Sequence, residues 1–172
     1  DASIAKLKLD EEGEGWKNFQ KTLMIKPFTL VHGDFHPGNF MVKQIHNQDS
    51  SKAKIELMLL DWEAVGVGSG PQDLGQFMIS HTDSKLRVQI ERTAVTQYYN
   101  ELCALNSSIA QSMSPEDCWL EYINGGVGRW MWMLPILAVM LPPDKTKYFH
   151  DQVKYFIEDH GITPETVPMP RA

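Results

Sequence analysis

The chain has 172 residues, of which 42% are hydrophobic and 22% charged, a composition typical of a globular protein with a single core. Its formal net charge of −6 argues against the basic surface that a nucleic-acid partner requires, so we expect no nucleic acid to bind. The longest apolar run, from Trp130 to Leu141, is interrupted by Pro135 and is shorter than the roughly 20 residues that span a bilayer, so we expect a buried helix and no membrane partner. Cys103 and Cys118 lie far apart without a C-x-x-C pairing, which predicts reduced thiols in a cytoplasmic protein.

The first predicted elements are helical. Residues 1–9 have weak helical character, an acidic loop follows, and Trp16 begins a short helix that ends near Pro27. The chain starts without an initiator methionine or a signal peptide, which predicts a piece of a longer protein.

Short strands follow this helix. Apolar and β-branched residues cluster in three runs, 28–32, 39–43 and 55–61. The polar stretch 44–54 separates the last two runs. This pattern predicts a hairpin with a long, mobile tip.

The rest of the chain is predicted to be helical. A glycine-rich segment, 66–70, leads to Pro71, which suits the first turn of a helix. The tail 164–172 contains three prolines and has no periodicity, so we expect it to be extended or disordered. Hydrophobic periodicity predicts helices over 71–80, 83–105, 115–140 and 144–160.

One helix carries a stripe of aromatic and apolar residues at helical spacing. Core packing is the favoured interpretation of this stripe. The alternative is a pocket for a cationic acceptor, since aromatic faces attract cations. The stripe consists of Trp119, Tyr122, Trp130, Met133, Leu137 and Leu141.

The chemically informative residues lie in the segments VHGDFHPGNF (31–40) and LLDWE (59–63). Phosphoryl transfer needs a carboxylate that orients and deprotonates the acceptor hydroxyl, and a few oxygen ligands for magnesium. Asp34 and Asn39 are five residues apart on one loop, so a single turn can direct both side chains into one cleft. Asp61 lies at the end of the neighbouring strand of the predicted hairpin. We therefore expect three oxygen donors to converge.

These motifs, H-G-D-x-H-x-x-N, then apolar-apolar-D-W-E, then P-x-D-L-G, resemble those of the aminoglycoside phosphotransferase and choline-kinase-like superfamily, which shares the protein-kinase fold. The resemblance covers residues 31–77. It implies an α+β fold in which 1–163 form a mostly helical C-terminal lobe, with short hairpin strands that carry the catalytic and metal loops. It also implies an ATP- and Mg²⁺-dependent enzyme that phosphorylates a hydroxyl of a small molecule such as an aminoglycoside, choline or a related metabolite.

The same resemblance implies the roles of individual residues. Asp34 corresponds to the catalytic-loop aspartate, and Asn39 and Asp61 would hold magnesium on the nucleotide phosphates. Asp73 would cap the catalytic loop from the start of a helix. His32 is expected to be a packing anchor beneath that loop.

Three further positions lie close to these residues. His36 stands where protein kinases carry a lysine that touches the transferring phosphate, so it is a candidate for a hydrogen bond to that group. Glu63 would project on the same side of a strand as Asp61 and assist the metal or hold an amine of the acceptor. Trp62 is a second candidate for contact with substrate. The glycine-rich segment 66–70 is interpreted as a flexible segment resembling a kinase activation loop.

The amino-terminal lobe that grips the nucleotide is not identifiable before His32. We expect this lobe of the same protein to be a required partner and the isolated chain to be inactive.

Two other functions are compatible with the sequence. One is a non-catalytic scaffold or regulatory module with a kinase-like lobe, which the intact site residues disfavour. The other is a metal-dependent hydrolase in which His32, Asp34 and His36 bind zinc. Gly33 and Pro37 disfavour it, because they indicate a loop where this ligand set needs a strand.

Overall fold

The computed structural model describes residues 28–45 and 54–163. The helix predicted from Trp16, most of the predicted hairpin tip and the tail 164–172 lie outside these residues. The described chain is mostly helical with short antiparallel strands, in agreement with the predicted α+β class.

The strands form two antiparallel pairs. β1 (Thr29–Val31) pairs with β4 (Gly66–Gly68), and β2 (Phe40–Ile45) pairs with β3 (Lys54–Leu59). β4 corrects our prediction of a flexible glycine-rich segment.

A close approach explains why glycine occupies β4. A Cβ atom on Gly68 would lie 3.2 Å from the side chain of Gln72 and 3.3 Å from that of Val31. The glycine therefore allows the two short strands to pair beside the start of the next helix.

Within residues 54–163, five helices follow the strands, and the four long ones begin and end within one residue of their predicted limits. Asp83 caps one of them by accepting hydrogen bonds from the N–H groups of Lys85 and Leu86, and Ser114 forms a capping box with Asp117 at another. The shortest helix was not predicted because four residues show no periodicity. The helices are α1 (Pro71–His81), α2 (Ser84–Leu105), α3 (Ile109–Ser112), α4 (Pro115–Met140) and α5 (Pro143–Asp159).

The hydrophobic core lies between α1, α2, α4 and α5. Tyr122 and Trp130 of the predicted stripe are fully buried there, and Trp119, Met133 and Leu137 pack against its edge. Five of the six stripe residues therefore belong to the core or pack against it, as the favoured interpretation predicts. Other buried core residues are Met78, Ile79, Val95, Met113, Cys118, Val127, Val153 and Phe156.

The β2–β3 hairpin has apolar side chains exposed on both faces. Met41 and Val42 are adjacent on β2 and therefore point to opposite faces, yet they are 57% and 63% exposed. Leu57 and Met58 show the same pattern on β3. At the described end of the hairpin, the Phe40 ring packs against those of Phe35 and Phe77, with centroids 4.8 and 5.7 Å apart.

Both cysteines are free thiols, and burial raises the pKa of Cys118 to about 11. Within the described ranges, none of the helices combines the length and the apolar character needed to cross a bilayer.

Candidate active site

The loop between β1 and β2 is anchored by a buried histidine. His32 Nε2 lies 2.8 Å from the carbonyl oxygen of Leu60, and Nδ1 accepts a hydrogen bond from the N–H of Asp34 at 3.3 Å. These two bonds assign the ring proton to Nε2. His32 therefore connects the loop to the segment that follows β3.

Asp73 in the first turn of α1 holds the start of this loop. Its carboxylate accepts hydrogen bonds from the backbone N–H groups of His32 at 2.7 Å and of Gly33 at 3.2 Å. On the other side of the loop, Arg129 of α4 donates to the carbonyl oxygen of Gly33 at 2.5 Å. The loop is thereby fixed by two helices of the core.

Gly33 is required by both its conformation and its surroundings. Its φ is 78°, a value that side-chain-bearing residues rarely adopt. A Cβ atom at this position would lie 2.2 Å from the carbonyl oxygen of Ala64. The loop can therefore pack against the turn after β3 only with glycine here.

The Asp34 carboxylate lies at the centre of the site and faces three side chains with N–H groups. Gln76 Nε2 donates to Oδ1 at 3.2 Å, while Asn39 Nδ2 donates to Oδ2 at 3.2 Å and to the Asp34 carbonyl oxygen at 2.9 Å. His36 Nε2 lies 3.3 Å from Oδ2. About a third of the side chain, 34%, stays exposed. The carboxylate is therefore oriented by the protein and still open to a small molecule.

His36 contacts Asp34 directly. Its Nδ1 accepts a hydrogen bond from the N–H of Gly38 at 3.1 Å, which leaves Nε2 to carry the proton that faces Asp34. The imidazole also stacks on that of His81, with ring centroids 5.4 Å apart and planes inclined by 18°. In this arrangement the Nε2–H group of His36 is directed at Asp34.

Asn39 and Asp61 lie at the same end of the hairpin. The backbone N–H of Leu60 donates to the Asn39 carbonyl oxygen at 2.9 Å, and Asp61 follows immediately. Asn39 is buried and its amide nitrogen is bonded to Asp34, which leaves its side-chain oxygen as the donor for a cation. Asp61 is exposed and follows Leu60, so Asn39 and Asp61 are near neighbours at this end of the hairpin. Two hard oxygen donors at one strand end fit Mg²⁺, which usually takes one or two protein ligands beside phosphates and water.

The turn after β3 corrects two predictions, the end of the third strand run at residue 61 and the placement of Glu63 on that strand. β3 ends at Leu59, and Asp61 adopts a left-handed conformation with φ 59°. Asp61 and Glu63 therefore do not project from the same side of a strand. Residues 62–64 form a 3₁₀ turn in which Trp62 Nε1 donates to the Leu59 carbonyl oxygen at 3.3 Å. The Trp62 ring lies 4.7 Å from that of His32 and is 42% exposed. Trp62 and Glu63 remain near the site, on an exposed turn.

The zinc-hydrolase alternative does not fit this geometry. Both ring nitrogens of His32 are bonded to other parts of the protein, so His32 cannot join Asp34 and His36 as a ligand. In the two described segments, moreover, there is no group of three or more His, Cys, Asp or Glu residues that could hold a metal ion.

Three residues at the site were not predicted from the sequence: Gln76, His81 and Arg129. Gln76 could have been predicted, because it follows Asp73 by three positions and so lies on the same face of α1. Burial and the neighbouring His36 hold the pKa of His81 below its usual range, and these effects outweigh the opposing influence of Asp34. The His81 ring therefore favours its neutral form more than a free imidazole does.

A model of the ecdysteroid kinase-like family matches residues 17–110, which include the loop, the hairpin, the turn after β3 and α1. No curated protein and no solved structure matches the chain. This family lies within the protein-kinase-like and choline-kinase-like superfamily, whereas the narrower resemblance to aminoglycoside phosphotransferases is not supported. Because the match spans more than half of the 172 residues, the chain belongs to the ecdysteroid kinase-like family.

Proposed function

We propose that this protein is a small-molecule kinase that uses ATP and Mg²⁺ to phosphorylate a hydroxyl group. The observation that carries the proposal is the Asp34 carboxylate, which is oriented by Gln76, Asn39 and His36 and remains about one-third exposed. Membership of a kinase-like family supports the same reaction class.

In the proposed reaction Asp34 is the general base. One oxygen of its carboxylate accepts the proton of the acceptor hydroxyl while the hydroxyl oxygen forms a bond to the γ-phosphorus of ATP. The bond between that phosphorus and the bridging oxygen breaks, and ADP leaves with the electron pair. His36 and Gln76 hold the carboxylate in place so that little reorganisation precedes proton transfer.

Asn39 and Asp61 are the proposed holders of magnesium. When bound, the ion neutralises charge on the nucleotide phosphates. The amide group of Asn39 would then serve two purposes, because its nitrogen orients Asp34 and its oxygen faces the cation. Asp73 and His32 would act through the backbone of the loop that carries Asp34.

The acceptor is proposed only as a class, a small molecule with an accessible hydroxyl group. The resemblance of the motifs to the choline-kinase-like superfamily suggests choline, an aminoglycoside or a related metabolite. The family description adds an ecdysteroid hydroxyl to the compounds that should be tested.

Two variants test the proposal, in whichever length of the protein turns over ATP with an acceptor from this panel. Asp34→Asn should lower turnover by roughly 10²–10⁴, the usual effect of a positioned general base, and should leave the affinity for Mg·ATP nearly unchanged. Asp61→Ala should weaken both turnover and Mg²⁺-dependent nucleotide binding, because it removes a proposed metal ligand. Steady-state kinetics and calorimetric titration with and without Mg²⁺ measure the two effects.

Asp144→Asn is the matched control, because Asp144 is an exposed carboxylate in the first turn of α5. It should keep wild-type turnover and binding. Turnover of Asp34→Asn within threefold of wild type would remove Asp34 from the mechanism. If no length of the protein binds nucleotide or turns over ATP, the scaffold function is favoured instead.

A further inference from the structure

We propose that His81 is a positioning residue, which holds the His36 ring so that its Nε2–H group faces the Asp34 carboxylate. This inference rests on the proposed function, in which Asp34 is the base, and it assigns a role to a residue outside the recognised motifs.

The geometry of the two rings carries the inference. Their centroids are 5.4 Å apart and their planes are inclined by 18°, within the range in which aromatic rings attract each other when offset. His36 has only a backbone N–H, that of Gly38, as a partner for its Nδ1. The contacts of Nδ1 with Gly38 and of Nε2 with Asp34 both lie at the edge of the ring, so the ring can still tilt about the line that joins them, whereas a flat neighbour fixes its plane.

His81 is exposed to solvent, but contacts within its own helix and with α5 hold its ring. It is the last residue of α1, the helix that also supplies Asp73 and Gln76 to the loop. Its Nδ1 lies 2.6 Å from Ser80 Oγ, and its ring meets the edge of the Phe149 ring on α5 with centroids 6.2 Å apart. The stack therefore extends from the helical core to the loop and transmits the position of α1 to His36.

The charge state of His81 suits this role. Partial burial and the proximity of His36 lower its pKa, which favours the neutral ring. A neutral ring can stack on a second imidazole without repulsion between like charges.

A matched pair of substitutions distinguishes the effect of the flat ring from the effect of side-chain volume. His81→Phe keeps an aromatic face, and His81→Leu keeps apolar volume against Phe149 without one. The first measurement is the ¹⁵N spectrum of the His36 ring nitrogens at pH 8 in the full 172-residue chain. We expect wild type and His81→Phe to show protonated Nε2 and unprotonated Nδ1, and His81→Leu to shift toward the average of two exchanging tautomers.

The second measurement is turnover in the active protein. His81→Leu should lower kcat by about 3- to 10-fold, the factor that corresponds to a typical aromatic pair, with KM for ATP unchanged. His81→Phe should restore kcat to within about twofold of wild type. His150→Leu is the control, because His150 is an exposed histidine on α5 whose ring contacts Asp151, and it should change neither readout.

Several results would overturn the inference. One is an unchanged His36 spectrum in His81→Leu, and another is a His81→Phe spectrum that matches that of His81→Leu. If the amide spectrum of His81→Leu shows loss of the fold, His81→Gln replaces it as the variant without a ring. The ring spectrum does not depend on activity. If Asp34→Asn failed to lower turnover, the proposed function would be rejected, but the spectra would still show whether His81 positions the His36 ring.

Discussion

The Asp34 carboxylate accepts a hydrogen bond from Gln76, a side chain that is only 2% exposed in α1. A hydrogen bond to a charged group contributes about 1.5–3 kcal/mol, more than one between neutral groups. Its donor sits on a helix of the core, so it cannot follow the carboxylate if the loop moves. Gln76 therefore limits the orientations that Asp34 can adopt.

Replacement of Gln76 by leucine should lower turnover without preventing folding. Leucine fills a similar volume but cannot donate to Asp34, so we expect kcat to fall by about 10- to 100-fold, the equivalent of one charge-assisted hydrogen bond. The control is Gln97→Leu at an exposed position of α2, which should retain kcat. Equal kcat values for the two variants in steady-state assays would show that Gln76 does not influence the base.

At the residue scale, the sequence identified the residues that belong to local motifs. Asp34 and Asn39 are five positions apart, and their side chains do meet. Asp73 contacts the loop from 41 positions away and was still predicted, because it belongs to the P-x-D-L-G motif. Gln76 and Arg129 also contact the loop across a large separation in sequence, 42 positions from Asp34 and 96 from Gly33, but neither belongs to a recognised motif. Their contacts depend on how the helices pack, which the motifs do not describe.

At the scale of elements, α1 and α4 approach each other through glycines. A Cβ on Gly75 would lie 2.7 Å from the Cα atom of Gly126, and one on Gly125 would lie 2.5 Å from the Cβ of Gln72. The backbones of the two helices are therefore in contact. This contact determines where α1 places Asp73 and Gln76 relative to the loop.

Two alanine substitutions in α4 test the importance of this contact. Gly125→Ala should destabilise the protein by about 1–3 kcal/mol, because the new methyl group overlaps Gln72 and the helices must separate. Gly128→Ala, one turn away, meets nothing within 4 Å and should stabilise by about 0.5–1 kcal/mol through better helix propensity. Urea denaturation measures both changes, and stabilisation by both substitutions would mean that the helix contact tolerates a methyl group.

The helices were predictable because periodicity and caps are local. Pro71 begins α1, and Ser114 with Asp117 forms the capping box of α4, both of which can be read from neighbouring residues. β4 and the turn at Asp61 were not predicted correctly. β4 exists because it pairs with β1, which lies far from it in sequence, and the left-handed Asp61 depends on the packing of the turn against the loop.

At the scale of the whole molecule, a buried polar network joins α2, α4 and the end of α5. Arg87 donates to Glu91 at 2.9 Å and to Asp159, and its guanidinium lies over the Phe156 ring. Tyr122 donates to Glu91 at 2.8 Å, and His160 Nε2 lies 3.3 Å from the same carboxylate. A charged group at this depth stays ionised only if its partners remain in place. The network therefore couples the positions of three helices.

The pKa of Glu91 reflects this arrangement. Burial by itself raises it, but the hydrogen bonds from His160, Tyr122 and Arg87, together with the charge of Arg87, lower it further than burial raises it. Burial raises the pKa of Tyr122, so its hydroxyl stays protonated and continues to donate. The folded protein thus holds Glu91 ionised at a pH where the unfolded chain would begin to protonate it.

Acidification should therefore remove stability that Glu91 contributes. The folded-state pKa lies below the ordinary value of 4.5, so this contribution is complete above that pH and is lost as the pH falls through the folded-state pKa. Glu91→Gln keeps the shape but not the charge, and at pH 7 it should cost about 1.5–3 kcal/mol in the free energy of unfolding. Urea denaturation at pH 7, 5 and 3.5 should show this difference from wild type shrinking as the pH falls.

Glu101→Gln on the exposed face of α2 is the control, and its free energy of unfolding should stay close to that of wild type at each pH. A difference between Glu91→Gln and wild type that stayed constant down to pH 3.5 would mean that the network does not depend on the ionised carboxylate.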